Sequence, residues 1–176
     1  MDERIVRLSK TLAYVLRHRP DTIGLELDSA GWVGVPALLE AMRGAGYEID
    51  RSDLDRIVEG SDKKRYELRA ERIRAAQGHS VDVELGLDPQ APPTVLYHGT
   101  VDRFLGAIRA EGLRAGERTH VHLSADASTA RQVGQRRGAP VVLEIDAKRL
   151  HADGHVFWLA SNGVWLVEHV PPAYIF

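Results

Sequence analysis

The residues best suited to binding an anion lie on one face of a predicted N-terminal helix. At about 100° per residue, five side chains share an arc of roughly 100° opposite the apolar stripe: Arg7, Lys10, Tyr14, Arg17 and His18. The face contains no carboxylate, whereas solvated helix faces usually mix charges of both signs. Pro20 ends the helix, so a turn can present Arg17 and His18 to a ligand. The pattern indicates an anion site, and an ordinary solvated face is the alternative interpretation.

A second cluster of hydrogen-bond donors lies in residues 72–80. If Ile73 points into the core of a strand, alternation puts Arg72 and Arg74 together on the outer face. The following residues, Gln77 to Ser80, form a polar turn with His79 inside it. An exposed hairpin that leads into a linker would give the same pattern.

Histidines mark two predicted strands in the second half of the chain. His98 comes at the end of one strand, and His120 and His122 share a face of another because side chains alternate along a strand. Two such histidines could hold a metal ion, but no third ligand has a suitable spacing. We therefore expect no metal site.

Two arginines end a predicted helix that covers residues 126–136. Arg136 and Arg137 precede Gly138, which is a typical residue just beyond a helix end. Positive charge at this end complements the helix dipole, and that alone would explain both residues.

The composition limits where these groups can act. The chain has 176 residues, a formal net charge of −2 and no cysteine. Disulfides, thiolate metal sites and cysteine nucleophiles are therefore excluded. The chain has no apolar run of membrane-spanning length and no signal peptide at its start, so we expect a soluble, cytoplasmic monomer. Since the net charge is close to zero, any anion site must be a local cluster.

A proline-rich segment divides the chain into two predicted domains. Three prolines between positions 89 and 93 prevent helix continuation and remove backbone donors. Residues 88–93 are therefore predicted to be a stiff linker between a first domain, 1–87, and a second, 94–176.

Hydrophobic periodicity predicts the elements of each domain. In the first we expect helices over residues 4–18 and 35–45, a third helix capped by Ser52 with Leu54, Ile57 and Val58 buried, and a hairpin over 63–69 and 73–75. In the second we expect strands over residues 95–98, 120–123, 141–145 and 164–170, with helices over 102–110 and 126–136. The pattern indicates an α+β fold, and the chain has no glycine motif of the Rossmann type.

Taken together, these segments resemble one family, the RNA (tRNA) 2'-phosphotransferases. The resemblance covers nearly the whole chain and rests on the following segments, in this order: 9–20 (SKTLAYVLRHRP), 31–33 (GWV), 64–68 (KRYEL), 73–80 (IRAAQGHS), 96–100 (LYHGT), 120–124 (HVHLS) and 133–138 (VGQRRG). Ala13 is a departure, because many members have a hydroxyl residue at that position.

The resemblance implies an N-terminal winged-helix lobe, a C-terminal lobe of the ADP-ribosyltransferase fold, and a site in the cleft between them. It implies a catalytic tetrad that grips the RNA 2'-phosphate: Arg17, His18, Arg74 and Arg136. Arg136 is preferred to Arg137 because the family arginine follows the glycine by two positions. Lys10, Arg72 and His79 are expected to assist in binding RNA phosphates. The implied NAD+ pocket is lined by His98, Gly99, Thr100, His122, Leu123 and Ser124.

The implied reaction consumes NAD+ as a cosubstrate and uses no metal. The 2'-phosphate of an RNA of the tRNA splice-junction type displaces nicotinamide, giving an RNA-2'-phospho-ADP-ribose intermediate. The products are RNA with a 2'-hydroxyl and ADP-ribose 1'',2''-cyclic phosphate.

Two other functions fit parts of the sequence. One is an ADP-ribosyltransferase that acts on proteins or nucleic-acid ends. Such enzymes usually present a glutamate on a later strand, where alignment puts Val142, although Glu144 has the same strand parity. The other is a non-catalytic winged-helix regulator that binds nucleic acid, which the nearly neutral first domain disfavours.

Overall fold

The computed structural model describes residues 2–61 and 63–176. The chain forms two compact units, with the boundary between Gly86 and Leu87. Helices and small antiparallel sheets are mixed in both units, so the α+β prediction is confirmed. No helix in the described part of the chain is long and apolar enough to cross a membrane.

The N-terminal unit consists of short helices packed with a small sheet. Its elements are α1 (Glu3–Arg17), a 3-10 helix (Pro20–Ile23), β1 (Val33–Gly34), α2 (Val35–Gly44), α3 (Arg51–Glu59), β2 (Tyr66–Arg69) and β3 (Arg72–Ala75). The three strands are antiparallel in the order β1-β3-β2, so β3 is central. The apolar faces of the helices and sheet share one hydrophobic core.

Helix α1 forms where its apolar residues recur at helical spacing. Five apolar side chains on one face are buried: Ile5, Leu8, Leu12, Val15 and Leu16. At the N-terminal end, the Asp2 carboxylate accepts a hydrogen bond from the backbone N–H of Ile5 at 2.9 Å. At the other end the chain enters the 3-10 helix at Pro20. The predicted helix over residues 4–18 is thus displaced by one residue.

The cap predicted for α3 is wrong. Asp50, not Ser52, is the N-cap, and its carboxylate accepts from the backbone N–H of Asp53 at 2.8 Å. The Asp53 carboxylate accepts in return from the backbone N–H of Asp50 at 3.3 Å, which completes a capping box. Leu54 and Ile57 are buried as predicted, whereas Val58 is only partly buried.

The C-terminal unit is richer in strands. It contains β4 (Val95–Val101), a 3-10 helix (Asp102–Phe104), α4 (Leu105–Glu111), β5 (Leu113–Arg114), β6 (Val121–Leu123), α5 (Ala127–Gln135), β7 (Pro140–Asp146), α6 (Ala147–Ala152), β8 (Phe157–Leu159), β9 (Trp165–Val167), β10 (His169–Val170) and a last 3-10 helix (Pro172–Tyr174). The sequence did not predict β5, α6 and β8, and the single strand expected over 164–170 is divided into β9 and β10.

Most of the candidate residues of this unit lie on two pairs of strands, β4 with β7 and β6 with β9. Strand β4 pairs antiparallel with β7 along its whole length. Strand β6 pairs antiparallel with β9, and Ser124, which directly follows β6, forms a bridge to Tyr97 of β4. The link between β4 and β6 is a pair of backbone hydrogen bonds of 2.9 and 2.8 Å between Tyr97 and Ser124. His98 and His122 are thereby held on neighbouring strands.

Two glycines allow α5 to pack directly on β4. A Cβ on Gly99 would lie 1.7 Å from the carbonyl oxygen of Ala130, and one on Gly134 would lie 2.8 Å from that of Thr100. Because both obstacles are backbone atoms, the helix and strand can approach this closely only without side chains at these positions. The packing fixes the C-terminal end of α5, and Arg136 follows directly as the C-cap residue.

Candidate active site

In the N-terminal unit, the end of α1 is hydrogen-bonded to the turn that follows β3. The backbone N–H of Ser80 donates to the carbonyl oxygen of Arg17 at 2.9 Å, and Nδ1 of His18 lies 2.9 Å from Oγ of Ser80. Gly78 has a φ of +91°, and a Cβ there would lie 3.6 Å from the Arg17 side chain. The structure thus brings together the two donor clusters of this unit that the sequence predicted separately.

Arg74 is buried and is held by other groups of the protein. It is 6% exposed. Its Nη2 donates to both carboxylate oxygens of Glu67, at 3.1 and 3.2 Å. Its Nη1 donates to the carbonyl oxygens of Ala30 and Leu85, at 3.1 and 3.0 Å, and the guanidinium carbon lies 4.7 Å from the centroid of the Trp32 ring. Arg74 is therefore fixed in position, with Nε as its remaining donor.

The prediction that Arg72 and Arg74 lie together on an outer face is wrong. They do have the same parity along β3, but this strand is central, and Arg74 is paired in register with Glu67. A buried guanidinium needs a counter-charge, and the Glu67 carboxylate supplies it. Arg72 stays exposed and forms an ion pair with Asp28 at 2.6 Å, so it is not an open phosphate ligand in this structure.

Several buried polar atoms here have no hydrogen-bond partner in the protein. They include Nε of Arg74, Oε1 of Gln77 and both ring nitrogens of His79. Buried polar atoms are nearly always hydrogen-bonded in native proteins, and His79 is only 1% exposed. Such a concentration of unsatisfied groups beside Arg17 and His18 is typical of a site that binds a polar or anionic ligand.

The surroundings of His79 keep its ring neutral. Burial, together with the nearby positive charges of Arg17, Arg74 and His18, lowers the pKa of His79 to about 4. A neutral imidazole has one donor and one acceptor nitrogen. Lys10, the other residue predicted to contact phosphate, lies exposed on α1 about two turns before His18.

In the C-terminal unit, two hydrogen bonds determine how the candidate histidines present their rings. Nδ1 of His98 lies 3.0 Å from the carbonyl oxygen of His122. Since a carbonyl only accepts, this nitrogen must carry the proton. Burial lowers the pKa of His98, and Arg137 and Arg118 lower it further. The His98 ring is therefore neutral and offers Nε2 as a hydrogen-bond acceptor.

The ring of His122 has the opposite tautomer. Nη1 of Arg118 lies 2.7 Å from Nδ1 of His122, and a guanidinium only donates, so Nδ1 accepts. The proton of a neutral His122 ring is then on Nε2, which becomes a donor. His98 and His122 thus offer one acceptor nitrogen and one donor nitrogen on neighbouring strands.

Arg118 is a site residue that the sequence analysis missed. Burial lowers its pKa, and the positive charges of Arg137 and Arg136 add to the effect. None of the ion pairs between described residues involves these three arginines. The unit therefore has a local cationic cluster beside His122. The only signal in the sequence was an arginine four positions before that histidine.

The other residues predicted to line the NAD+ pocket have different surroundings. Leu123 is 1% exposed and belongs to the hydrophobic core. Gly99 faces α5, and Thr100 is buried. Ser124 is half-buried and bridges to β4 through its backbone. Side-chain contacts with a ligand are therefore available mainly to Ser124 and the two histidines.

Comparison with known proteins shows the family of this chain. Residues 3–169 match the model of the family described as RNA 2'-phosphotransferase, Tpt1 / KptA family. The chain belongs to this family. A probable RNA 2'-phosphotransferase of Streptomyces coelicolor is 53% identical over 173 residues, covering 98% of this chain and 95% of the relative. One from Agrobacterium fabrum is 56% identical over 169 residues, covering 95% and 91%.

The pairing of β4 with β7 determines which face Glu144 occupies. Directly opposed residues of antiparallel strands project to the same face. His98 is opposite Leu143, whereas Glu144 is opposite Tyr97 and Val142 is opposite Gly99. Glu144 and Val142 therefore lie on the face away from His98.

The strand beside His122 also lacks a suitable carboxylate. It is β9, and Leu166 is the residue directly opposite His122. Neither strand that borders the two histidines thus presents a glutamate on the face of His98. Among the described residues, no group of three or more potential ligands could hold a metal ion. His120 packs edge-on against Trp158, with ring centroids 5.0 Å apart.

We expect the stability of the protein to fall in mild acid because of His79. Its pKa of about 4 in the folded state lies below the ordinary value of 6.5, so the unfolded chain binds the proton more strongly. The His79 contribution is complete above about pH 6.5 and declines as the pH falls toward 4. Between about pH 7.5 and pH 5 it amounts to roughly 2 kcal/mol.

The prediction is tested by urea unfolding of the wild type and of His79→Gln in chloride buffer. The free energy of unfolding is measured between about pH 7.5 and pH 5. His79→Gln should reduce the pH dependence by about that amount, whatever its effect at neutral pH. His151→Gln, which removes an exposed histidine, serves as the control. An unchanged slope in His79→Gln would mean that the pKa of His79 is the same in the folded and the unfolded chain.

Proposed function

We propose that the protein transfers the 2'-phosphate of an RNA, of the tRNA splice-junction type, to NAD+. The products would be RNA with a free 2'-hydroxyl, nicotinamide and ADP-ribose 1'',2''-cyclic phosphate. The observation that best supports the proposal is the cluster in the N-terminal unit. There, Arg17, His18 and Arg74 lie beside the buried, unpartnered polar atoms of Gln77 and His79.

This cluster has the chemistry that a phosphate monoester requires. Such a group carries about −1.5 to −2 charge near neutral pH and has three acceptor oxygens. Arginine offers a planar fork of donors that suits these oxygens. In our proposal Arg17 and His18 donate to the phosphate directly. Arg74, whose terminal nitrogens are engaged by the protein, contributes Nε and its positive charge.

The proposed reaction has two steps. In the first, a 2'-phosphate oxygen attacks the ribose carbon that bears nicotinamide, so a C–O bond forms and the C–N bond to neutral nicotinamide breaks. The phosphate is already an anion, so this attack needs no general base. In the second step, the adjacent ribose hydroxyl attacks phosphorus and loses its proton. The P–O bond to RNA breaks, and the RNA 2'-oxygen takes up a proton.

NAD+ acts here as a substrate held by the C-terminal unit. The tautomers of His98 and His122 suit it, since Nε2 of His98 can accept from a ribose hydroxyl and Nε2 of His122 can donate. The cationic group of Arg118, Arg136 and Arg137 fits the negative charge of the NAD+ diphosphate and of the transferred phosphate. Ser124 and the backbone at Gly99 and Thr100 complete the proposed pocket.

We also propose that the two units are a winged-helix lobe and an ADP-ribosyltransferase-like lobe. Three helices followed by the β2–β3 hairpin, with β1 on the other side of β3, support the first assignment. Paired antiparallel strands that carry His98 and His122 support the second.

Incubation with NAD+ and a 2'-phosphorylated oligonucleotide, in the presence of a chelator, tests the function. We expect dephosphorylated RNA and one nicotinamide for each phosphate removed. RNA that keeps its phosphate while ADP-ribose appears on a protein or on an RNA end would instead favour the ADP-ribosyltransferase alternative. No consumption of NAD+ would contradict both.

His98→Ala should weaken the use of NAD+ more than the use of RNA. The change removes the acceptor Nε2 from the proposed NAD+ pocket, and the loss of one hydrogen bond to the substrate corresponds to roughly a tenfold rise in the KM for NAD+. Steady-state titration of each substrate separates the two effects. His151→Ala is the matched control, since this histidine is exposed. If the kinetic constants for NAD+ were unchanged in His98→Ala, His98 would lie outside the pocket.

A further inference from the structure

The exposed face of α1 carries an aromatic ring in line with basic side chains. Tyr14 is 48% exposed, although an aromatic side chain usually gains free energy from burial. Lys10 lies one turn before it and Arg7 about two turns before it, both exposed. The ring of His18, one turn later, has its centroid 6.2 Å from that of Tyr14. We call Arg7, Lys10 and Tyr14 the Tyr14 track.

The track is cationic and is not neutralised by its neighbours. The only acidic residue of α1 is Glu3, in the first turn. Among the ion pairs of the described residues, none involves Arg7 or Lys10. A polyanion is therefore the partner whose charge this face complements.

The track leads directly to the cluster proposed to bind the 2'-phosphate. At 1.5 Å per residue, Arg7 and His18 are about 16 Å apart along the helix axis, which is enough for roughly three nucleotides of a single strand. His18 connects the track to the phosphate cluster, since it lies beside the Tyr14 ring and next to Ser80. The two features are parts of one surface of the N-terminal unit.

We propose that the Tyr14 track binds the single RNA strand that carries the 2'-phosphate. The Tyr14 ring stacks on an unpaired base next to the phosphorylated nucleotide, and Arg7 and Lys10 neutralise backbone phosphates further along the strand. An exposed aromatic ring between cations is the usual means of binding unpaired nucleotides without reading their sequence. This inference rests on the proposed function, because the 2'-phosphate at Arg17 and His18 fixes the position of the strand.

Binding of a labelled single-stranded RNA that lacks a 2'-phosphate, measured by fluorescence anisotropy without NAD+, tests the track. Tyr14→Ala should raise the Kd by about tenfold, as expected for the loss of one stacked base. Tyr14→Phe should keep wild-type binding, because the ring and not the hydroxyl is used. Arg7→Ala and Lys10→Ala should each reduce the slope of log affinity against log salt by about 0.7.

Two control variants come from the same unit. Tyr47 is another exposed tyrosine, at 37%, and Arg43 is an exposed arginine of α2. Tyr47→Ala and Arg43→Ala should bind RNA like the wild type. Thermal unfolding of each variant checks that the fold is retained.

The outcomes decide between stacking and its alternatives. Unchanged binding by Tyr14→Ala, or an equal loss with Tyr14→Phe, would overturn the stacking role. A wild type that does not bind this RNA would overturn the whole track. Because the assay uses neither NAD+ nor a 2'-phosphate, failure of the phosphate transfer would be seen only in the turnover experiment.

Discussion

A Gly99→Ala variant is expected to lose the native packing of its C-terminal unit. The new Cβ would lie 1.7 Å from the carbonyl oxygen of Ala130 and 2.9 Å from the backbone nitrogen of Gly134. Both are backbone atoms of α5, so no side-chain rotation can relieve the overlap. The whole helix would have to move away from β4, which would expose apolar surface and displace Arg136.

The expected loss of stability is large for a single methyl group. Overpacking of a core typically costs about 1–3 kcal/mol, and a contact with rigid backbone should reach at least the upper end of that range. About 3 kcal/mol corresponds to a fall in melting temperature of roughly 10 °C for a chain of this size. Thermal unfolding monitored by near-ultraviolet circular dichroism measures the fall in melting temperature directly. The result does not depend on any role of Gly99 in binding NAD+.

Gly106→Ala is the matched control. Gly106 lies within α4, and a Cβ there would meet nothing within 4 Å. Since alanine is favoured over glycine inside a helix, this variant should be about 0.5–1 kcal/mol more stable than the wild type. If Gly99→Ala melted at the wild-type temperature, the close approach of α5 to β4 would be wrong.

Local patterns predicted the elements that have a regular apolar spacing. Helix α1 was predicted from the spacing of Leu8, Leu12 and Val15, and the burial of this stripe is confirmed. The cap of α3 was wrong because Asp50 and Ser52 are both good caps only two residues apart, and the reciprocal bond with Asp53 decides between them. Such a choice depends on geometry that composition does not contain.

The environment of Arg74 could not be predicted from strand alternation. Alternation gives the face of a strand on which a side chain lies, but not what covers that face. Trp32 and the carbonyl oxygen of Leu85 come from distant parts of the sequence, and the partner Glu67 is set by the register of the hairpin. Arg118 was missed for a related reason, since it lies in a loop, where no periodicity indicates its direction.

The second large effect is expected for Arg136, and it should appear in the second chemical step. During the first step the phosphate oxygen must remain nucleophilic, so cationic contacts mainly orient it. During the second step phosphorus is attacked, and negative charge increases on its non-bridging oxygens. Donors directed at that charge stabilise the transition state, and the loss of one typically costs about 10²–10³ in rate.

Arg136 is well placed in its own unit for such a role. It caps the C-terminal end of α5, which the contacts at Gly99 and Gly134 hold against β4. Its charge also acts on Arg118, and none of the ion pairs between described residues engages it. An unneutralised guanidinium carried by a helix end that is held in place can stabilise charge that develops beside it.

We therefore expect Arg136→Ala to accumulate the RNA-2'-phospho-ADP-ribose intermediate. The measurement is a single-turnover reaction of a labelled 2'-phosphorylated oligonucleotide with excess NAD+, in which substrate, intermediate and product are separated on a gel. Arg131→Ala removes an exposed arginine from the body of the same helix and should behave like the wild type. Arg137→Ala tests the neighbouring arginine and should accumulate less intermediate than Arg136→Ala. Slower loss of substrate with no intermediate at any time would assign Arg136 to RNA binding or to the first step.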